Sequence, residues 1–563
     1  MRGAAAHGEG RYEAAERDFR TLTGLQPREA GHWLNLGTAL RGLARYDDAL
    51  LAYARAHALG GATADFCFNV GLTHLDRFDY EAARAVLAQG VALAPRDAEM
   101  RLQHAKACFE LGRTDDGVAS LADWQDLQGL QPALVAEIGR RLQGAGQTAA
   151  AAAAMDRLAA AADLAPEAGL ELVHMLERAN RLEEAGRLLA RVRAALPDRC
   201  ESAAGLLAQR AGRHAEAIAH FERALAVNGQ THRRHFDQFP LARSLDAVGR
   251  AADAWTVLGQ AHRSQVAQLR LAAPLVAARG APAFLITRRG AERQDVAAWN
   301  EAGAPDAASS PVFIVAFPRS GTTLLEQVLD AHPQLCSMDE QPFLQYALED
   351  LDQAAGGHYP GALAAIGPRE LAAIRARYFE RVQSKIPLTP GQRLVDKNPL
   401  NLLRLPAIRR LFPHSRILLA IRHPCDVLLS CYMQQFTAPE FALLCADLPT
   451  LAQGYRRAFD FWYREQAVLA AAVHEVRYET LVGNFAAEVR RIAAFLGLPW
   501  DDALLAPGAH ARGKAFISTP SYAQVVQPVS TRAVGRWRAY ARQFEPVLPM
   551  LAPYFERWGY DAG

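Results

Sequence analysis

At 563 residues the chain exceeds what one compact core accommodates, so two or more domains are expected. Its 62 Lys and Arg against 60 Asp and Glu leave a formal net charge of +2, which gives no signal for nucleic acid or an anionic membrane as partner. The seven cysteines (Cys67, Cys108, Cys200, Cys336, Cys425, Cys431, Cys445) include no C-x-x-C pair, and neither a signal-peptide core nor a run of about 18 apolar residues occurs; a cytoplasmic protein without a membrane span or zinc site is expected.

From the start to about residue 262 the sequence repeats. A small or turn-forming residue followed by a polar one recurs 34 residues apart as Gly10-Arg11, Ala44-Arg45, Phe78-Asp79, Gly112-Arg113, Gly146-Gln147 and Asn180-Arg181, with looser copies at Gly212-Arg213 and Gly249-Arg250. Phe78 is the misfit in type. Small residues keep the same register at Ala15, Ala49, Ala83, Gly117, Ala151 and Ala185, and breakers at Pro27, Gly61, Pro95 and Gly129. A 34-residue helix–turn–helix unit with a small residue at the helix crossing resembles the tetratricopeptide (TPR) repeat. The resemblance implies an α-solenoid over residues 1–262 whose groove binds a protein partner. The first copy has little room for its leading helix before Gly10, so the start is expected to be truncated or late. His32, Trp33, His74 and His104 are expected to serve packing or the groove.

Residues 263–310 are expected to be a connector, because the period fades and Ala302–Pro311 is rich in small residues. A catalytic half, residues 311–563, follows. The continuous apolar run Val312 to Phe317 suits a strand buried on both faces, and Leu324, Leu325, Val328 and Leu329 recur at helical spacing. Between them Pro318-Arg-Ser-Gly-Thr-Thr323 forms an anion-site pattern: Gly321 permits close backbone approach, Ser320, Thr322 and Thr323 bring hydroxyls, and Arg319 brings charge. An ordinary turn with Ser320 as helix cap is the alternative. The nucleoside-triphosphate loop pattern requires Lys after its second Gly, whereas Thr322 follows Gly321 here.

Further along, Asp339 and Glu340 are adjacent carboxylates, and Arg393–Lys397 reads as a short strand ending in lysine. Ser415–Ser430 is a second buried strand running into a helix, Val473–Glu479 suggests another strand, and Phe485–Leu496 an amphipathic helix. Strands alternating with helices imply a parallel α/β sheet with its site at the carboxyl edge.

These motifs together resemble the sulfotransferases that use 3′-phosphoadenosine 5′-phosphosulfate (PAPS), most closely the tyrosylprotein type and bacterial TPR-sulfotransferases. The resemblance implies a P-loop-like parallel α/β domain in which Arg319, Ser320, Gly321, Thr322 and Thr323 bind the 5′-phosphosulfate. It further implies that Arg422 and Ser430 hold the 3′-phosphate, that Tyr478 lies near the nucleotide, and that Gln527-Pro-Val with Arg536-Trp537 closes over the site. Glu340, 21 residues past Arg319, falls at the position of the family's catalytic Glu, and Lys397 at that of the lysine contacting the transferring group. Two departures stand out: Tyr522, beside Ser521, where the tyrosylprotein enzymes have Ser, and Arg536 for their Lys. Catalytic roles are thus expected for Glu340, Lys397 and Arg319, with no metal. The acceptor is expected to be a hydroxyl, with tyrosine, another peptide or protein group, and other hydroxyl compounds all open. A kinase-like nucleotide enzyme and an inactive scaffold working through the repeats are the rival readings; His423, Asp339 and His358 are the rival bases.

Overall fold

A computed structural model of the chain describes residues 11–161, 163–227, 233–279, 290–386, 388–508 and 529–561. Two compact units divide it, Met1–Val227 and Asn228–Gly563. Among the described residues no helix is long and apolar enough to cross a membrane.

The first unit is all helical, and its turns explain the sequence period. Ala44, Phe78, Gly112, Gly146, Asn180 and Gly212 all take a left-handed φ, between 57° and 74°. This conformation suits Gly and Asn; Phe78 adopts it at a steric cost, which is why it looks out of place. The next helix then begins at once, as in Tyr46–Gly60, Tyr80–Leu93 and Leu182–Val192. Its first turn is tied by an Arg to a carboxylate three residues on: Arg45 to Asp48, Arg113 to Asp116, Arg181 to Glu184 and Arg213 to Glu216. Ala15, Ala49, Ala83, Ala151 and Ala185 are all buried where helices cross. At Gly117 a Cβ would meet the Phe109 ring at 2.6 Å, so the crossing leaves no room for a side chain. His32 bonds Gln26, the Trp33 indole donates to the Pro27 carbonyl, and His104 contacts Ser120, all packing roles.

The eighth copy of the repeat behaves differently from the rest. Helices His235–Ala247 and Ala251–Ala272, which the sequence period groups with the array, belong to the second unit. Phe239, Ala242, Leu258 and Ala261 are buried in the same core as Phe313, Val315 and Phe317. His262 stacks on Tyr432 with ring centroids 4.2 Å apart and bonds its carbonyl, while Gln265 donates to the Phe436 carbonyl. Residues 290–310, which read by composition as a connector, also lie on this unit: Arg410 donates to the Asn300 carbonyl, Arg375 to the Gly303 carbonyl, and Arg409 pairs with Glu301.

The centre of the second unit is a parallel five-stranded sheet, ordered β2-β3-β1-β4-β5, built from β1 (Val312–Ala316), β2 (Leu335–Ser337), β3 (Arg393–Lys397), β4 (Arg416–Ile421) and β5 (Ala472–Arg477). Strand β1 is buried throughout because alternate residues enter two cores, Phe313 and Val315 on one face, Val312, Ile314 and Ala316 on the other. The chain leaves β1 towards β2 on one side and β4 towards β5 on the other. The carboxyl ends of β1 and β4 therefore lie side by side at the centre of the sheet, where this topology gathers loop residues.

Candidate active site

Each of the five strands delivers one of the sequence-predicted residues at its carboxyl end: Arg319 after β1, Glu340 after β2, Lys397 closing β3, Arg422 after β4 and Tyr478 after β5. The loop after β1 is held open by its own backbone. Arg319 and Gly321 take φ of 73° and 92°, Gly321 caps the helix Thr322–Asp330, and the Ser320 hydroxyl donates to the Phe317 carbonyl at 2.7 Å. Residue 321 must be glycine twice over, since a Cβ there would also come within 2.5 Å of Tyr478 Cδ2. Ser320, Thr322 and Thr323 are buried in this turn.

Arg319, Arg422 and Ser430 interlock. Arg319 Nε donates to Ser430 Oγ at 3.1 Å, and Arg422 Nη1 donates to the Arg319 carbonyl at 3.2 Å. Burial pushes the Arg319 guanidinium below its ordinary value. Arg422 also stacks on the Tyr478 ring, 4.9 Å from its centroid, and donates through Nη2 to the Ala533 carbonyl. Its Nε is buried and has no hydrogen-bond partner among the described residues. A guanidinium fixed on two edges with an unspent buried donor suits an anion oxygen.

Arg536 sits on the turn Arg536–Tyr540, which is fastened to the helix Pro424–Tyr432: Asp426 accepts from Gly535 N at 2.6 Å and from Trp537 N at 3.0 Å. The Arg536 guanidinium pairs with Asp246 at 2.5 Å, and the Tyr540 hydroxyl donates to the same carboxylate at 2.7 Å. Ser521, Tyr522, Gln527 and Pro528 lie outside the described residues.

On the other flank, Lys397 has no exposed surface and stands between two carboxylates, donating to Glu340 Oε1 at 2.8 Å with Glu326 Oε2 at 3.2 Å. Glu340 is 42% exposed at its side chain; Glu326, on the helix after the loop, is fully buried and accepts from the Ser337 hydroxyl. The two members of this ion pair respond differently to burial. Desolvation outweighs the single ammonium at Glu326, with Asp339 adding repulsion, and pushes its carboxyl up to about 7. At Lys397 desolvation pulls downward, but Glu326 and Glu340, with Asp339 beyond them, outweigh it and hold the ammonium above its ordinary value.

The rival bases fare poorly. Both His423 ring nitrogens are occupied, Nδ1 by Cys425 N and Nε2 by the Asp561 carbonyl, while the ring stacks on Trp537. Asp339 is half-buried and takes φ 57°, and its Oδ1 has no hydrogen-bond partner among the described residues. His358 lines a cavity of about 540 Å³ with Glu292, Asp295 and Tyr359, apart from the strand-end groups. Among the described residues no group of three or more His, Cys, Asp or Glu is placed to hold a metal ion.

Sequence reasoning missed Glu326, Asp426 and Asp246. Glu326 carried a faint signal as a carboxylate beside Leu325, Val328 and Leu329 on a helix meant to pack, and Asp426 as an acid four residues past Arg422. Asp246 carried none, since it meets Arg536 only through the fold.

Comparison with known proteins agrees with this architecture. Residues 311–502 match the sulfotransferase family model, and residues 1–63 and 71–132 the tetratricopeptide repeat model. An uncharacterized protein of Aquifex aeolicus is 27% identical over 257 residues, 44% of this chain and 33% of that protein, so the match spans about a third of that relative's length. Protein-tyrosine sulfotransferase 2 of Gallus gallus is 29% identical over 274 residues, 44% of this chain and 69% of the relative. Among solved structures, the sulfotransferase domain from the curacin biosynthetic pathway aligns at 19% identity and a TM-score of 0.32, covering 45% of this chain and 98% of that one.

Proposed function

We propose that this chain, a TPR array joined to a sulfotransferase domain, transfers the sulfuryl group of PAPS to an acceptor hydroxyl. The observation that carries the reading is the gathering of Arg319, Glu340, Lys397, Arg422 and Tyr478 from five different strand ends along one edge of the sheet. The groups fit the donor's chemistry. The loop 318–323 with its helix start suits the 5′-phosphosulfate, Arg422 with its unspent Nε and Ser430 suit the 3′-phosphate, and the Tyr478 ring over Gly321 suits the nucleotide's edge.

In this reading the acceptor oxygen attacks sulfur in line with the bond to the bridging oxygen. That bond breaks with its electron pair going to the 5′-phosphate, and the acceptor's proton passes to Glu340. Arg319 and Lys397 offset the charge that grows on the leaving phosphate, as fixed cations do in phosphoryl transfer. The exposure of Glu340 beside buried Lys397 supports its role as base, since a carboxylate open to solvent can be reached by an acceptor.

The acceptor class we propose is a tyrosine or another hydroxyl on a peptide or protein. Two features support it: the likeness to a protein named for tyrosine sulfation, and a repeat array of the kind that binds protein segments. The absence of a disulfide among the described residues supports a cytoplasmic setting. The test of the donor is calorimetry with adenosine 3′,5′-bisphosphate and with ADP. Tighter binding of the bisphosphate is expected; equal affinity would remove PAPS as the donor.

A further inference from the structure

The helix Thr322–Asp330 packs on the sheet through Leu325, Val328 and Leu329, yet places a carboxylate, Glu326, beside them with no exposed surface. A buried carboxylate is retained only where its partner makes it worthwhile. Here the partners are Lys397 from β3 and the Ser337 hydroxyl from the end of β2, with Asp339 just beyond. The turn Asp502–Leu505 also packs on this helix; it contributes buried Leu504, while Asp501 and Asp502 are engaged by Ala503 N and the Trp500 indole.

We infer that Glu326 is a positioning residue for sulfuryl transfer: in its ionised form it is the buried counter-charge that keeps Lys397 anchored at the end of β3 while Glu340 exchanges its share of the ion pair for the acceptor's proton. The inference rests on the reading of Glu340 as base and Lys397 as the cation beside the transferring group.

The two carboxylates on Lys397 differ in a way that assigns them different work. Glu340 lies on a loop with its side chain 42% exposed, whereas Glu326 is 0% exposed, set in a helix and held by a hydroxyl. When Glu340 accepts the proton it becomes neutral and its pull on the ammonium is lost. An ammonium with no exposed surface and no remaining counter-charge would follow Glu340 or shed a proton, because burial penalises an unpaired charge. With Glu326 behind it, Lys397 keeps its protons and its place through the step. Glu326 sits only a few residues past the 5′-phosphate loop, so the helix that begins at that loop also carries the buried carboxylate on Lys397.

The test is a double-mutant cycle in the full chain. Turnover is read as transfer of ³⁵S from labelled PAPS to p-nitrophenol, or to water where that phenol is not accepted, and nucleotide binding by calorimetry with adenosine 3′,5′-bisphosphate. Glu326→Gln keeps the size and the bond from Ser337 while removing the charge. It is expected to lower kcat by about tenfold, to leave bisphosphate affinity within about twofold, and to add nothing in a Lys397→Met background, since it acts through that lysine. Ser337→Ala, which loosens Glu326 without touching its charge, is expected to give a smaller loss that also vanishes with Lys397→Met. A loss that persists in the Lys397→Met background, or one accompanied by loss of bisphosphate binding, would make Glu326 a packing residue and overturn the inference. A wild type that fails to bind the bisphosphate would instead overturn the functional reading beneath it.

Discussion

Arg422 is the residue whose removal should be felt most sharply in nucleotide recognition. It is 7% exposed, donates to the Arg319 and Ala533 carbonyls, and lies over the Tyr478 ring, so its guanidinium is held in place while its buried Nε has no hydrogen-bond partner among the described residues. Truncating one partner of a buried charged hydrogen bond costs about 2–5 kcal/mol, which is roughly 30- to 5,000-fold in Kd. Arg422→Ala should therefore weaken adenosine 3′,5′-bisphosphate by at least about thirtyfold, while the two freed carbonyls lower the stability of the fold. ADP, which has no 3′-phosphate, should lose far less, so the preference for the bisphosphate should collapse. Arg422→Lys should recover only part of it, because a point charge cannot serve two carbonyls and a phosphate at once. Calorimetry of both nucleotides against both variants decides the matter. If Arg422→Ala weakens the two nucleotides equally, the guanidinium is a strut for the loop and not the 3′-phosphate's partner.

Glu340→Gln should lower kcat by roughly 10² to 10⁴ with bisphosphate affinity nearly intact, whereas His423→Ala, whose ring nitrogens are both engaged, should lower thermal stability while turnover keeps its pH profile. The reverse pattern would make the histidine the base. A chain beginning at residue 233 should fold and bind the bisphosphate, while one beginning at 300 should lose Tm, because it strips Trp255 and His262 from Tyr432 and Tyr540; equal Tm for the two would contradict the packing. The Glu326 carboxyl, raised by burial to about 7, is held in its protonated form more tightly folded than unfolded. Its contribution to stability is complete below its ordinary carboxylate range and is lost as pH rises towards 7, so wild-type Tm should fall across that window relative to Glu326→Gln. Parallel Tm curves for the two proteins would refute this.

The parts legible in the sequence were those fixed by local chemistry. The left-handed turns at Gly112, Gly146 and Gly212 announce themselves because few residues take that φ, and the apolar run before Arg319 announces a strand because both faces are buried. Glu340, Lys397 and Arg422 were picked out by resemblance to the family's motifs, and once a parallel sheet is granted its topology brings them to one edge although they are far apart in the chain. The rest depended on contacts with no local trace. The helices His235–Ala247 and Ala251–Ala272 continue the repeat loosely, and long-range contacts such as those of Phe239, Trp255 and His262 show that they pack as part of the second unit. Glu326 looked like any helical glutamate, since nothing in its neighbours says that Lys397 will arrive beside it from a strand 71 residues away. Arg536 was expected near a phosphate; its present partner, Asp246, lies 290 residues earlier in the chain.

The central claim, sulfuryl transfer from PAPS, is tested most directly by incubating the full chain with ³⁵S-labelled PAPS and a cell lysate and following the label by mass spectrometry. The account predicts label on an acceptor hydroxyl, peptide tyrosine foremost, and its disappearance with Glu340→Gln or Lys397→Met. Undiminished label with those variants, or no consumption of PAPS alongside transfer from γ-labelled ATP, would contradict it.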